Sequence, residues 1–402
     1  MNTPATEPAT DRRPHTPASI DENSAARGIA LLTFAFILSQ FYRSCLAVIA
    51  PELQLDFGLS PAGFGALSSC FFLSFAVAQI PVGIAFDRYG VGRPTAWLLG
   101  IGAASAIGFV LAPSGAVAML AQMGLGLACA PVFMGLLHYA SEQLSERQYM
   151  RVVSRSNAMG MIGALCATAP LGWFSQHFGW RPALAISALC MVGACYGVWR
   201  HVRDGGHEQA RQAPMGAMLA ESVKLLGMWP LWTLIPLCVA MAAGTRGVAL
   251  TLLSLAGFAT AFLLPVLVRR STLKTTIGAW ACLSMTGGIV LTIWPDTGVV
   301  SGVGMMALLS TIGMLHPLVM AQGRALITPA KRGRGLGLLN TFVFLGSALT
   351  SWGFGLIANA GHLRDWPVAN TYSAIFFSAV AVVALSLLPY WFSPSSVITH
   401  HK

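Results

Sequence analysis

The sequence predicts an all-α membrane protein in which twelve transmembrane helices form two six-helix bundles. A low charge, long uncharged runs and one polar stretch near the middle of the chain lead to this prediction. Of the 402 residues, 55% are hydrophobic and 9% are charged, whereas a soluble domain carries roughly a quarter charged residues. The stretch Thr95–Met134 contains no Asp, Glu, Lys or Arg. Most of the chain is therefore expected to face lipid or other helices rather than water.

Charged residues, proline and glycine divide the chain between Arg27 and Phe392 into twelve apolar segments. Each has about the 20 residues that a membrane-spanning helix needs. The strands of a membrane barrel would alternate apolar and polar residues. These segments do not alternate in that way, so a barrel does not fit. The segments are predicted at 28–50, 63–86, 95–112, 116–139, 153–175, 181–199, 225–243, 247–268, 276–294, 298–321, 335–358 and 371–392.

The formal charge of +10 reflects membrane orientation rather than a nucleic-acid partner. With a cytoplasmic amino terminus, the cytoplasmic face receives all but four of the 24 lysines and arginines. The exceptions are Arg43, Arg181, Arg246 and Arg364. Such a bias follows the positive-inside rule. We therefore expect a multi-pass protein of the cell inner membrane with both termini in the cytoplasm.

A polar stretch at 201–224 separates six segments from six and predicts a cytoplasmic linker between the bundles. The bundles are placed at 27–200 and 225–393, and a short cytoplasmic tail at 394–402. Residues 1–26 are rich in proline, threonine and charge without a long apolar run. That composition is typical of a disordered tail.

The two halves also resemble each other. A single offset superposes Asn157, Gly163 and Gly172 of segment five on Asn340, Gly346 and Gly355 of segment eleven. Parallel repeats of this kind are typical of transporters that hold their solute between the two halves at mid-membrane.

The loop after segment two carries the most specific motif, Gly83-Ile84-Ala85-Phe86-Asp87-Arg88-Tyr89-Gly90 followed by Arg93. It resembles the G-x-x-x-D-R-x-G signature that the major facilitator superfamily carries between helices two and three. In this interpretation Gly83 and Gly90 permit close packing and a tight turn, and Asp87 stabilises a facing helix or pairs with a base. Contacts that form in only one state would make the motif a gate. The alternative is an ordinary charged turn.

The chain also departs from the family pattern at two places. The corresponding loop after segment eight, at 265–270, has no acidic residue, and Leu120 stands where many proton-coupled members carry arginine. Proton coupling by the family's usual antiporter residues is therefore not expected.

Arg43 lies inside segment one and is the principal candidate for binding. A charge at the centre of a spanning helix costs roughly 2.5–3.5 kcal/mol on insertion scales and is tolerated where it faces a cavity or a partner. No aspartate or glutamate lies in the middle of any segment, so Arg43 is expected to receive an anion from outside the protein. The alternative is an arginine that snorkels to the outer surface.

A second resemblance extends from Tyr42-Arg43 through Pro51-Glu52-Leu53 and Gly58-Leu59-Ser60 to Gly65. It is similar to the organophosphate and organic-anion branch of the superfamily. The resemblance implies that one arginine in helix one and one in helix seven hold the anionic group, here Arg43 and Arg246. The chain from Arg246 to Arg270 is much shorter than that from Arg43 to Arg88. Arg246 is therefore equally compatible with a surface turn.

The remaining candidates for substrate contact are uncharged or weakly basic residues within the segments: Tyr42, Gln40, Asn157, Asn340 and His316. The two asparagines can instead bond helix to helix, and His316, next to Pro317, can be structural.

These observations favour a secondary transporter that moves a small organic anion across the bilayer by alternating access. A multidrug or metabolite exporter with a promiscuous cavity, or a non-transporting membrane sensor, remain alternatives. No residues support an enzyme, a cofactor, a metal site or a nucleic-acid partner. The expected partners are the solute and the lipid bilayer, and the protein is expected to be a monomer.

Overall fold

A computed structural model describes residues 22–202, 215–241, 272–296, 298–327 and 332–393. Within these ranges the regular elements are helices. The first half contains eight: α1 (Glu22–Val48), α2 (Ala50–Phe57), α3 (Pro61–Tyr89), α4 (Gly92–Val110), α5 (Gly115–Gln143), α6 (Glu146–Cys166), α7 (Ala169–Phe178) and α8 (Trp180–His201). The second half contains α9 (Met215–Lys224), α10 (Trp229–Trp232), α11 (Ile235–Ala240), α12 (Leu273–Ile293), α13 (Val299–Ser310), α14 (His316–Leu326), α15 (Arg332–Leu363) and α16 (Val368–Trp391).

Nine helices or continued helix pairs of the described ranges are long and apolar enough to cross a membrane. A tenth span forms if the pair Ala220–Gly227 and Trp229–Ala240, bent by 77°, counts as one. The third predicted segment is the shorter helix α4, with 19 residues. The eighth predicted segment, residues 247–268, lies outside the described residues. The chain is thus a multi-pass membrane protein, and a count of twelve helices is consistent with its fold.

Two of the predicted domain boundaries fall on residues that the structure describes. Helix α1 begins at Glu22, so the end of the expected disordered tail is helical, because Ala25 is buried and alanines favour helix. Part of the predicted linker forms the helix α9. Glu221 of α9 forms an ion pair with Arg334 at the start of α15. The rest of the linker and the tail 394–402 lie outside the described residues.

Breaks in the spanning helices occur where proline begins a new helix. Pro170, Pro236 and Pro317 each lie in the first turn of α7, α11 and α14. A proline lacks the amide hydrogen that would continue the preceding helix, but its fixed φ suits a first turn. The seventh and tenth spans are consequently built from short pieces.

Glycines let helix backbones approach each other within each half. A Cβ on Gly163 of α6 would overlap the carbonyl oxygen of Ile37 in α1, and one on Gly346 of α15 would overlap that of Val239 in α11. Lipid tails are as apolar as leucine, so close packing rather than water exclusion holds such helices together. This pair of contacts is equivalent in the two halves, as the sequence repeat predicts. The partners of Gly172 and Gly355 are not equivalent.

The two halves meet where α3 packs antiparallel against α15. Gly65 faces Gly355 at one end, and a Cβ on Gly65 would lie 3.0 Å from the Cα of Gly355. One turn further along α3, Ser69 Oγ lies 2.8 Å from the carbonyl oxygen of Ala348. The packing is close enough that Ala348 belongs to the hydrophobic core of the first half.

At the same end of the molecule, α2 is tied to α8 by a polar cluster. The Nε1 of Trp180 donates a hydrogen bond of 2.8 Å to Asp56 Oδ2, and Arg181 forms an ion pair with the same oxygen. The Trp180 hydrogen bond, with a further contribution from Arg181, lowers the pKa of Asp56 below its usual value despite partial desolvation.

The packing of Gly163 generates a prediction for stability. Gly163→Ala should lower the thermal unfolding midpoint, because overpacking against a backbone oxygen typically costs about 1–3 kcal/mol. The control is Gly193→Ala in α8, where no atom of the described residues lies within 4 Å of the Cβ position. That substitution should be neutral or stabilising, since alanine favours helix over glycine by about 0.8–1 kcal/mol. Equal midpoints for the two variants would contradict the contact.

The Asp56 cluster generates a prediction for pH dependence. A carboxyl group whose pKa is lowered by folding stabilises the protein above the unfolded pKa of about 3.9 and loses that contribution as pH falls through the folded value. Asp56→Asn should therefore unfold at a lower temperature than the wild type at pH 6, and the difference should narrow below about pH 4. Asp365→Asn serves as the control, because its backbone φ of 50° is one that asparagine also tolerates. A difference that persisted unchanged at low pH would argue against the ionised Asp56.

Candidate functional site

Arg43 lies in α1 with its guanidinium beside a pair of aromatic rings that come from different halves of the chain. Its Cζ is 4.6 Å from the ring centroid of Phe75 in α3 and 4.8 Å from that of Phe344 in α15. The two rings themselves are in contact, with centroids 3.9 Å apart. A guanidinium over an aromatic face is attracted by the ring quadrupole. The snorkelling alternative is therefore wrong for this conformation, because the head group points into the protein.

Among the residues that the structure describes, no carboxylate neutralises this cation. Across the described ranges, no Asp or Glu oxygen lies within 4 Å of the Arg43 guanidinium, and its Nε is buried without a hydrogen-bond partner. Cys129 of α5 and His316 of α14 also lie near Arg43. Aromatic faces offset only part of the cost of burying a charge. The site is thus electrostatically prepared for an anion.

A chain of polar side chains lies beside this cation and crosses between the halves. His316 Nε2 donates to Asn340 Oδ1 over 3.2 Å, and Asn340 Nδ2 donates to Gln79 Oε1 over 2.9 Å. The two predicted candidates His316 and Asn340 are therefore brought together. Gln79, in α3, was missed by the sequence analysis. Like Gln40, Gln79 is an amide within an apolar segment, and that was the only signal in the sequence that could have identified it. It carries no charge and has no counterpart in the repeat.

Two other predicted residues of α1 are placed differently. Gln40 lies one turn before Arg43 on α1, and its Oε1 is buried without a partner among the described residues. Tyr42 is buried, and its hydroxyl is hydrogen-bonded over 2.8 Å to Ser187 of α8. The geometry thus gives Tyr42 a packing role inside the first half, because its polar group is already engaged.

Asn157 is exposed on α6 and is not brought to the Arg43 cluster. Its neighbour Ser156 is the buried residue, bonded to Thr33 over 2.8 Å. The symmetry of Asn157 and Asn340 in sequence is therefore not a symmetry of environment. Arg246 lies outside the described residues.

The predicted gating motif occupies the end of α3 and the start of α4. Gly90 has φ 76°, so the tight turn is present and favours glycine. Gly83 was expected to permit close packing, but no described atom lies within 4 Å of its Cβ position. Asp87 and Arg88 are half-buried in the last turn of α3, and Arg93 is exposed at the start of α4. Helix α3 thus contacts α15 at Gln79, but among the described residues it is not closely packed one turn later, at Gly83.

A separate cavity of about 520 Å³ opens at the ends of α1, α5 and α6 nearest the motif loop. Its lining includes Ala26, Ile29, Val152, Arg155 and Met159. Arg43 is not part of this lining, so the cavity is distinct from the cation cluster.

The contact between Arg43 and Phe344 can be measured by a double-mutant cycle of Arg43→Met and Phe344→Leu. Because a desolvated cation–π contact is worth up to about 2 kcal/mol, Phe344→Leu should destabilise the wild type more than it destabilises Arg43→Met. The thermal unfolding of all four proteins in one detergent gives the coupling. Strict additivity would show that the rings pack without holding the charge.

The comparisons with known proteins agree with this architecture. The sequence model of the Major Facilitator Superfamily matches residues 32–351. The inward-open xylose transporter XylE from E. coli has a TM-score of 0.70 and 13% identity, over 92% of this chain and 97% of that one. A bacterial homologue of the human lysosomal transporter Spinster, in an inward-facing state, has a TM-score of 0.66 and 16% identity, over 93% of this chain and 97% of that one. At such identities these structures indicate a shared fold.

Three relatives are similar in sequence. The Escherichia coli protein described as "Probable galactarate/D-glucarate transporter GudP" is 28% identical over 40% of this chain and 38% of its own length. The gallate transporter of Pseudomonas putida is 25% identical over 54% of this chain and 46% of its own length. The transcription regulatory protein OpdE of Pseudomonas aeruginosa is 24% identical over 90% of this chain and 92% of its own length. The chain thus matches less than half the length of the two transporters and nearly all of OpdE.

The matched family model spans most of the chain, including the motif loop, Arg43 and the part of the α3–α15 contact at Gln79, Asn340 and Ala348. The chain belongs to the major facilitator superfamily.

Proposed function

We propose that the protein is a secondary transporter that carries a small organic anion across the membrane, with Arg43 as the residue that holds the anionic group. The observation that carries this proposal is a buried guanidinium with two aromatic neighbours and no carboxylate partner among the described residues. A carboxylate or phosphate ester would complete it, since arginine binds both through paired hydrogen bonds.

The names of the relatives support the anionic class. Galactarate, D-glucarate and gallate, named for two of them, all carry carboxylate groups. Exchange against a second anion, or cotransport through the protonation of the substrate itself, would drive transport.

Alternating access follows from the way the two halves touch. With both termini in the cytoplasm of an inner membrane, as the positions of the basic residues favour, the contact of Gly65 with Gly355 closes the outer side. Towards the motif loop, past Gln79 and Asn340, no described atom lies within 4 Å of the Cβ position of Gly83. Rocking of one bundle against the other would open the outer side and close the inner one. We place the chain in that membrane as a monomer within the lipid bilayer.

The glycine contacts also support a role for Arg246. Gly163 meets Ile37, and the equivalent Gly346 meets Val239. Arg43 follows Ile37 by six residues, and the sixth residue after Val239 is Thr245, which adjoins Arg246. We therefore propose Arg246 as a second anchor for the anionic group.

The test is binding and flux by the purified, reconstituted protein with anionic, neutral and cationic metabolites. Galactarate or gallate should raise the unfolding temperature and cross the liposome membrane. Arg43→Gln should weaken the Kd about 10- to 100-fold, because a hydrogen bond to a charged group contributes about 1.5–3 kcal/mol. Arg364→Gln, at an exposed arginine, is the control and should bind as the wild type does.

The charge of the preferred ligand decides between this proposal and an exporter. Stabilisation by neutral or cationic compounds alone, or equal binding by the wild type and Arg43→Gln, would overturn the anion site. Either result would favour a multidrug or metabolite exporter.

A membrane sensor is the second candidate, because OpdE, a relative that matches nearly the whole chain, is described as a transcription regulatory protein. The 77° bend in the seventh span is a further departure from an uninterrupted spanning helix. A sensor would bind the anion through Arg43 and show no net flux in liposomes. Flux that is abolished by Arg43→Gln would instead establish transport.

A further inference from the structure

We propose that Gln79 determines the specificity of the site by donating a hydrogen bond from Nε2 to an uncharged oxygen on the body of the bound anion. Asn340 and His316 are positioning residues that fix Gln79 in this orientation. The inference rests on the proposed function, because it concerns the ligand that Arg43 would hold.

The position of Gln79 follows from the pairing of α3 with α15. Gln79 lies four residues after Phe75, and Asn340 lies four residues before Phe344. Since helix residues rise about 1.5 Å each, the amide pair forms the next layer, about 6 Å from the two rings that hold Arg43. A ligand bound at Arg43 and extending along the contact between the halves would reach this layer.

The hydrogen-bond chain sets the polarity of the Gln79 amide. Asn340 Oδ1 is a carbonyl oxygen, so His316 Nε2 must be the donor in that bond. The amide nitrogen of Asn340 is then directed to Gln79 Oε1. This leaves Nε2 as the free end of the Gln79 side chain.

That free end has no partner in the part of the chain that the structure describes. Gln79 is 2% exposed, and its Nε2 is buried without a hydrogen bond. Arg43 Nε is a second buried donor without a partner. The two donors belong to α1 and α3 of the first half. Buried polar groups are rarely left unpaired, and a ligand with a carboxylate and a nearby acceptor oxygen would satisfy both.

The chain would reverse if His316 Nε2 accepted instead of donating. Asn340 and Gln79 would then flip their amides, and Gln79 would present an oxygen to the ligand. An oxygen there would repel the acceptor groups of an anion. The hydrogen on His316 Nε2 therefore decides which ligand groups Gln79 can recognise, although His316 need not touch the ligand.

The experiment compares acids that differ only in their hydroxyl groups. Galactarate and adipate share a six-carbon dicarboxylate skeleton, and gallate and benzoate share a carboxylated ring. In the wild type the hydroxylated member of at least one pair should bind about 10- to 100-fold more tightly. Gln79→Met should reduce that ratio to about one by weakening the hydroxylated acid, with little change for its partner.

A second pair of variants tests the positioning role. His316→Gln retains a donor to Asn340 and should preserve most of the discrimination. His316→Met removes the donor and should lower the ratio as Gln79→Met does. Gln322→Met is the control: this glutamine is buried in α14 and bonded to Tyr390 and Ser393, so its loss should reduce stability and leave the ratio unchanged.

The outcomes separate this inference from the proposed function. Discrimination that survives Gln79→Met, in a protein whose binding still requires Arg43, would overturn the role of Gln79 alone. Equal ratios in His316→Gln and His316→Met would overturn the positioning role of His316. If no acid binds the wild type, the proposed function fails, and the inference fails with it.

Discussion

The contact of α3 with α15 is the interaction on which the rest of the structure depends, because it joins the two halves and builds the candidate site. Gly65 and Gly355 let the two backbones approach at one end, where any side chain would hold them apart. That approach brings Phe75 against Phe344 further along. Without it, Arg43 would have one aromatic neighbour instead of two. The small residues at one end therefore determine the electrostatics at the middle.

The buried cation explains why the site is arranged as it is. A guanidinium in a membrane interior needs a compensating group, and within the described residues two aromatic rings supply part of that compensation. A carboxylate in the same place would satisfy Arg43 permanently and leave no attraction for a ligand. Aromatic faces stabilise the charge more weakly and can be exchanged for an anion. The arrangement thus favours reversible binding over a fixed ion pair.

The same contact links ligand binding to the relative position of the bundles. Phe344 and Asn340 belong to the second half, whereas Arg43, Phe75 and Gln79 belong to the first. A ligand that draws Arg43 or Gln79 towards itself changes contacts that cross between the halves. Only such a difference in contacts can shift an equilibrium between two conformations. This applies equally to a transporter and to a sensor, which is why flux rather than binding distinguishes them.

The sequence by itself determined the membrane class, the positions of the described spanning helices, the repeat and the presence of a cation, Arg43, inside a spanning segment. These depend on local hydropathy and on the cost of one charge in lipid, which each segment carries independently of the others. The family resemblance followed from the motif Gly83–Gly90, a turn whose backbone geometry is also local. The sequence analysis did not determine that Tyr42 faces Ser187 or that Asn157 is exposed while Asn340 is bonded.

Only the tertiary structure decided which side chains meet at Arg43. Gln79 and Asn340 are 261 residues apart in the chain, and nothing in either segment alone indicates that they touch. Their contact depends on how α3 crosses α15, which small residues far from the site allow. Hydropathy places each helix in the membrane, but the rotation and register of one helix against another are set by packing between them.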